Sequence, residues 1–214
     1  MTKKISSPDI YENIEESTSA FDILTFEENE IENLFFHNET IKETGKRCDS
    51  IIHCIFSHCL FGKNKLRRVN FTDISFRNCD LSNTDFGECN FYRVEFINCK
   101  LLGCDLGGSV FNHVLIESSN GIYSNFTNAK IRNTLIQNSD FRNGAFNNCK
   151  IESFSFENCN LSESEFSHTP LKGMDLRNSR IENLHCNIPD LRGAVVSSYQ
   201  AVELAKQIGI IIKD

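Results

Sequence analysis

Cys79-Asp80-Leu81-Ser82-Asn83-Thr84-Asp85-Phe86-Gly87-Glu88 contains one five-residue pattern twice: a small residue, an acid, a large apolar residue and two free positions. Working outward from it, the large apolar place, called here the centre, recurs at numbers ending in 1 or 6. Upstream the series reads Phe21, Phe26, Ile31, Phe36 and Ile41, and after a break it resumes at Ile51, Phe56, Phe61, Leu66, Phe71 and Phe76. Downstream it runs through Phe91, Phe96, Leu101 and Leu106 to Leu191 and Val196. Of the 36 such slots between residues 21 and 196, only Lys46 and Gly121 are unsuited to an apolar interior. Of the 18 Phe residues 16 fall in this register, and Phe35 and Phe154 do not. A period of five is neither the 3.6 of a helix nor the 2 of a strand. It requires a backbone that turns a corner every five residues and returns the same side chain to the same interior line.

Two residues before each centre the chain points inward again, and there it is small: Cys79, Thr84, Cys89, Val94, Cys99, Cys104, Ser109. The positions after the centre are polar, as outward turn residues should be, so replacing one of them, such as Asn98, is expected to cost little. This register resembles the pentapeptide-repeat family, over roughly residues 18 to 196. The resemblance implies an all-β solenoid, a right-handed quadrilateral β-helix with four pentapeptides per coil. The sequence speaks for four sides on its own account. The small slot read every 20 residues gives Cys59, Cys79, Cys99, Ser119, Ser139, Cys159 and Ser179, whereas the line five residues earlier gives Cys54, Ile74, Val94, Val114, Thr134, Phe154 and Met174. Different sides keep different sizes, as the layers of one prism would. Nine coils at ~4.8 Å make a rod about 43 Å long.

The chain has 214 residues, 40% hydrophobic and 24% charged, with net charge −7. That sits in the ordinary range for one globular domain. No apolar run approaches the ~20 residues that span a bilayer, and the N-terminus lacks the apolar core of a secretory signal, so a cytoplasmic address is expected. Eight of the ten Cys occupy the inward slot, where a reduced thiol acts as a small hydrophobe. His53-Cys54 and His58-Cys59 suggest zinc, but the register sends the thiols inward and the imidazoles outward, so no metal site is expected. No phosphate loop, nucleophile elbow or His-Glu-Xaa-Xaa-His motif occurs, and no cofactor is implied. The chain reads as a binding protein, not an enzyme.

Interruptions of a solenoid map to projections. Residues 42–50 form the stronger break and a candidate partner-binding loop: Lys42, Glu43, Thr44, Gly45, Lys46 and Arg47. Residues 118–123 are milder and read as a local bulge in which Ile122 turns inward in place of Gly121. Residues 1–17 lack the register and form a lead or cap. Residues 197–214 read as a helix N-capped by Ser198, with Tyr199, Val202, Ala205 and Ile208 on one face, ended by Gly209 and followed by a short strand, Ile210 to Ile212.

That tail resembles the terminus of the Qnr quinolone-resistance family and its mycobacterial relative MfpA, on Leu191-Arg192-Gly193-Ala194, Tyr199-Gln200-Ala201, Leu204 and Ile208-Gly209-Ile210. The resemblance implies a homodimer joined end to end through Tyr199, Val202, Leu204, Ala205, Ile208, Ile210 and Ile212. It further implies a DNA-like rod that binds DNA gyrase and topoisomerase IV, rather than nucleic acid itself, and relieves their inhibition by quinolones. Net charge suits that reading, but its distribution is uneven. Residues 1–50 hold 12 acids and 5 bases, with Glu27, Glu28, Glu30 and Glu32 as the candidate acidic surface, whereas residues 51–214 hold 17 of each.

Overall fold

The computed structural model describes residues 5–10, 14–16, 30–41, 48–207 and 209–213. Among the described residues nine strands form one wholly parallel sheet. They are β1 (Glu15–Glu16), β2 (Glu30–Glu32), β3 (Leu34–His37), β4 (Ser50–Ser57), β5 (Asn70–Arg77), β6 (Asn90–Ile97), β7 (Val110–Glu117), β8 (Lys130–Gln137) and β9 (Lys150–Glu157). From β4 onward each strand lies on the one before with an offset of 20 residues: Ile51 pairs with Phe71, Phe71 with Phe91, Phe91 with Phe111 and Phe111 with Ile131. Twenty residues per turn is four pentapeptides, so the chain is a four-sided parallel coil. The eight-residue strands cover two successive sides, and the other two are marked by single bridges such as Asp80↔Lys100 and Asp85↔Asp105. Of the first coil expected from sequence, Phe21 and Phe26 lie outside the described residues, whereas Ile31 and Phe36 are buried in β2 and β3.

The corners explain the outward sequence. Among the described residues twenty-four non-glycine residues have positive φ, and the number of every one ends in 3 or 8, two places after a centre. A left-handed residue costs a Cβ-bearing side chain about 1–2 kcal/mol. Asn bears this best, because its short amide can bond locally, and twelve of the twenty-four are Asn. Asn98, with φ of 53°, is one of them, and its amide also donates to Asn78 Oδ1 at 2.6 Å. Its position is therefore outward but constrained, which corrects the expectation that any replacement there is cheap.

Inside, like stacks on like. Phe36, Phe56, Phe76 and Phe96 form a column with ring centroids 4.6, 5.1 and 4.9 Å apart and nearly parallel planes. Phe71, Phe91 and Phe111 form a second column, and Phe126, Phe146 and Phe166 a third. Rings of adjacent sides meet edge to face, as Phe71 and Phe86 do at 5.7 Å. Both arrangements suit the aromatic quadrupole. The small slots are polar but satisfied. Ser109 Oγ donates to the Phe86 carbonyl at 2.8 Å and accepts from the Cys89 N–H at 2.9 Å. Cysteines in the same slot direct their thiols at the equivalent carbonyls, Cys79 at Phe56 and Cys104 at Leu81.

Gly121 does not open a bulge. Its N–H keeps the coil-to-coil bond to the Asp140 carbonyl at 2.7 Å, and Ile122 stays on the outer surface. The space a side chain would need is taken by Phe141, whose Cε1 would lie 2.2 Å from a Cβ at residue 121. The long strands end at β9 because Pro170, where the next would begin, has no N–H for the ladder. The coil continues through bridges as far as Asp175↔Val195. A 3-10 turn (Ile188–Leu191) and the helix α1 (Ser198–Gln207) follow.

Phe91→Ala, at a fully buried mid-rod centre, is expected to cost ~3–5 kcal/mol, or roughly 6–20 °C of melting temperature. Asn98→Gly should cost less than about 0.5 kcal/mol while Asn98→Val costs ~1–2, since only the β-branched side chain resists the corner. Gly121→Ala should cost ~1–3 kcal/mol by overpacking against Phe141. Thermal melts of the four variants check the register, and equal shifts for Phe91→Ala and Asn98→Gly would refute it.

Burial pushes the thiols of Cys54, Cys89 and Cys104 up to about 12 and those of Cys149 and Cys159 to about 11, so they stay protonated and inert well above neutral pH. Only Cys48 and Cys186 are incompletely buried. Titration with a disulfide reagent at about pH 8 should therefore label at most those two in the folded protein, and the remainder only in denaturant.

Candidate functional site

The C-terminal end is built by α1. Ser197 and Gln200 form a reciprocal cap: the Gln200 N–H donates to Ser197 Oγ at 3.2 Å and the Ser197 N–H to Gln200 Oε1 at 2.8 Å. This places the cap one residue before the Ser198 expected from sequence. The Gln200 amide nitrogen then donates to the carbonyls of Leu176 and Ser179 at 2.7 and 2.8 Å, and the Gln207 amide donates to that of Leu184. These side chains satisfy carbonyls that the last coil would otherwise leave open. Leu204 is 9% exposed and closes the end of the interior, so its apolar surface is spent within one chain. The helix face turned inward is thus Gln200 and Leu204, and the row of Tyr199, Val202 and Ala205 lies off it.

What remains outside is apolar. Tyr199 is 66% exposed, Ile210 50%, Ile211 82% and Ile212 45%; Val202 is also exposed and Ala205 half-buried. Residues 210–212 form no strand, in contrast to the sequence expectation, because no neighbouring strand edge pairs with them. Ile208 lies outside the described residues.

At the opposite end Glu30 and Glu32 project from β2, exposed on either side of buried Ile31, and Glu30 accepts a hydrogen bond from Ser50 Oγ at 2.5 Å. Glu27 and Glu28 lie outside the described residues, as do Lys42, Glu43, Thr44, Gly45, Lys46 and Arg47. The flanks of that segment are Ile41, buried at its expected centre, and the half-buried Cys48.

Charge differs from face to face along the coils. The face with centres 56, 76, 96 and 116 carries Glu95, Glu117, Glu157 and Asp175 against Arg77 and Arg177. The next, with centres 61, 81 and 101, has four of each sign, and the one after it has Asp85, Glu88, Asp105 and Glu165 against Lys65, Arg67 and Arg68. Many of these acids are paired: Arg67 with Glu88 at 2.5 Å, Arg77 with Glu95 at 3.1 Å, Arg142 with Asp140 at 2.8 Å. The face with centres 51, 71, 91 and 111 differs in sign, with Lys130, Arg132, Lys150, Lys172 and Arg192 in its later coils against Glu152 and Asp190. No continuous acidic stripe runs along the described coils.

Cys54 and Cys59 point into the interior while His53 and His58 occupy left-handed corners, so the four do not converge. Among the described residues no group of three or more His, Cys, Asp or Glu side chains is placed to hold a metal. No helix among them is long and apolar enough to cross a membrane.

Sequence reasoning missed the N-terminal segment. Residues 5–10 lie along the first face, with the Asp9 N–H donating to Asp73 Oδ1 at 2.7 Å and the Ser6 N–H to His113 Nδ1 at 3.2 Å. Asp73 itself is fully buried and held by Arg93 through both Nε and Nη2. The one signal was an acid in a slot, 73, where the other coils carry Asn, His, Arg, Ser or Gly.

The chain is similar to a trypsin-treated form of QnrB1, a plasmid-mediated fluoroquinolone resistance protein, at 23% identity over 86% of this chain and 92% of that one, with a TM-score of 0.44. It is similar also to HetL, a pentapeptide repeat protein involved in heterocyst differentiation regulation from the cyanobacterium Nostoc, at 11% identity over 86% and 92%, with a TM-score of 0.42. A search of curated protein sequences finds no match. The pentapeptide repeat region model matches residues 49–120 and 69–143, and the model of eight pentapeptide repeats matches residues 140–178. Those matches run unbroken along the coils whose corners, centres and small slots repeat every five residues, and the chain belongs to the pentapeptide-repeat family.

Proposed function

We propose that this protein binds the type II topoisomerases DNA gyrase and topoisomerase IV as an end-to-end homodimer and protects them from quinolones. Solenoids of this family are typically non-catalytic scaffolds, so function falls to surfaces. The observation that carries the reading is the outer side of the C-terminal end. Closing the coil accounts for Gln200 and Leu204, which face inward. It does not account for Tyr199, Ile210, Ile211 and Ile212, which are apolar and exposed together. A second copy docked there would remove them from water, and the same tail carries the resemblance to Qnr proteins.

An end-to-end dimer would set the acidic N-terminal parts at its two outer ends, with balanced coils between. Competition for a DNA-binding surface would then rest on the N-terminal part, whose sequence to residue 50 holds 12 acids against 5 bases. The basic later coils of the first face favour a second reading, a scaffold for another protein partner. Protection against a natural topoisomerase poison is tested by the same assay with that inhibitor.

Four outcomes are expected. Ile211→Glu, at a site 82% exposed, should give monomers in sedimentation velocity with a melting temperature within about 2 °C of wild type. Leu204→Glu should instead lower the melting temperature by opening the end of the interior. In a gyrase supercoiling assay with ciprofloxacin, the wild-type protein should restore supercoiling and the monomeric variant should do so weakly. Deleting residues 43–47, one repeat long, should lower protection with little change in melting. Identical monomer mass for wild type and Ile211→Glu would overturn the dimer, and no restoration across a wide titration would move the assignment to the scaffold reading.

A further inference from the structure

The first face already holds one extended peptide, the chain's own residues 5–10. Ser6 is bonded at His113 and Asp9 at Asp73, two coils apart, while the Asp9 carbonyl meets His53 Nδ1 at 2.6 Å. Two coils span ~9.6 Å and three residues of extended chain ~10 Å, so the segment runs straight along the rod axis, across the strands. Its backbone is held by corner residues that recur once per coil.

Beyond His113 the same face forms a groove of about 470 Å³, lined by residues 110–112, 130–132 and 150–152. Its rims carry Lys130, Arg132 and Lys150, and Lys172 and Arg192 continue the line. Arg132 pairs with Glu152 at 2.8 Å; Lys130, Lys150, Lys172 and Arg192 form no ion pair with a described residue. Lys3 and Lys4 in the sequence carry the same sign as these rims.

We propose that this groove docks an extended acidic segment of a partner protein, laid along the rod axis in continuation of the N-terminal segment. Carboxylates on one side of an extended chain recur every ~6.8 Å and cations on the face every ~4.8 Å, a mismatch that long Lys and Arg side chains absorb. Single-stranded nucleic acid fits less well, because no Phe, Tyr or Trp projects from this face between residues 110 and 193 for a base to stack on. The proposal does not depend on the topoisomerase reading.

The test is fluorescence anisotropy on the full-length protein with a labelled octapeptide of alternating Glu and Ser, its Gln–Ser counterpart and octathymidylate, at about 50 mM salt. The Glu–Ser peptide should bind saturably and the Gln–Ser peptide should not. Lys130→Glu with Lys150→Glu should weaken binding about tenfold or more, and the milder Lys130→Gln with Lys150→Gln about threefold. Glu152→Gln should strengthen it by releasing Arg132. Arg142→Glu with Arg180→Glu, on another face, should leave it within about twofold. Four results would overturn the proposal. They are absence of saturable binding up to about 1 mM peptide, equal loss in the Arg142 and Arg180 variant, octathymidylate binding as tightly as the peptide, and loss of self-association in the Lys130 and Lys150 variant, which would make a second copy the occupant.

Discussion

Every turn of this coil has to land on the turn before it, and most of the structure follows from that. The inter-coil bonds, such as Phe61 N–H to the Asp80 carbonyl and Leu81 N–H to the Lys100 carbonyl, both 2.8 Å, hold only if each turn uses the same number of residues. Four corners, most with a left-handed residue two places after the centre, close the turn in 20. The corner cost of ~1–2 kcal/mol for a residue with a Cβ is repeated four times per coil. It is offset by what the stacking returns: phenyl columns at 4.6–5.1 Å and a hydrogen-bond partner for every buried hydroxyl. Each coil touches only its neighbours, so stability accumulates along the rod instead of in one central core.

The small slot shows why this composition is so rich in cysteine. A side chain there must be short, must fit beneath a ring of the next side, and faces a carbonyl one coil back. Serine and threonine meet that carbonyl with a hydroxyl, as Ser109 and Thr169 do at 2.8 and 2.6 Å. Cysteine meets it with a weaker donor but loses less on burial. The same geometry leaves the outer columns free of structural duty except at the corners. Four faces can therefore carry four different charge patterns on one interior, and the basic first face beside three near-balanced ones is an instance.

Much of this was legible in the sequence, because the constraint acts at a fixed interval. The centres, the inward slot and the four unequal sides can be read from residue types at spacings of 5 and 20. What could not be read are places where a neighbour in space, not in sequence, decides. Gly121 looks like a defect until Phe141 is seen filling its place. Apolar spacing picks out the row Tyr199, Val202, Ala205 and says nothing of Gln200; the docked face is Gln200 and Leu204, because bare carbonyls at the end of the coil select an amide over a larger hydrophobe. Residues 5–10 carry no periodicity, and their place on the first face depends on Asp73, His53 and His113 lying in line, a relation only the 20-residue turn creates.

A regular prism offers a partner little by way of pockets, so recognition concentrates where regularity ends or where something lies across it. Both conditions occur here. At the C-terminal end the helix satisfies the last carbonyls from within and leaves isoleucines outside, a combination that closes the coil against further strands yet invites a like surface. Along the first face the N-terminal segment crosses the rows at right angles to the strands, and one buried carboxylate, Asp73, anchors both its backbone and Arg93. A chain that lays its own segment across the rows in this way has already met the geometric demands of binding another. The corners supply polar groups along the coils, the groove continues past His113, and the face passes from balanced charge to basic.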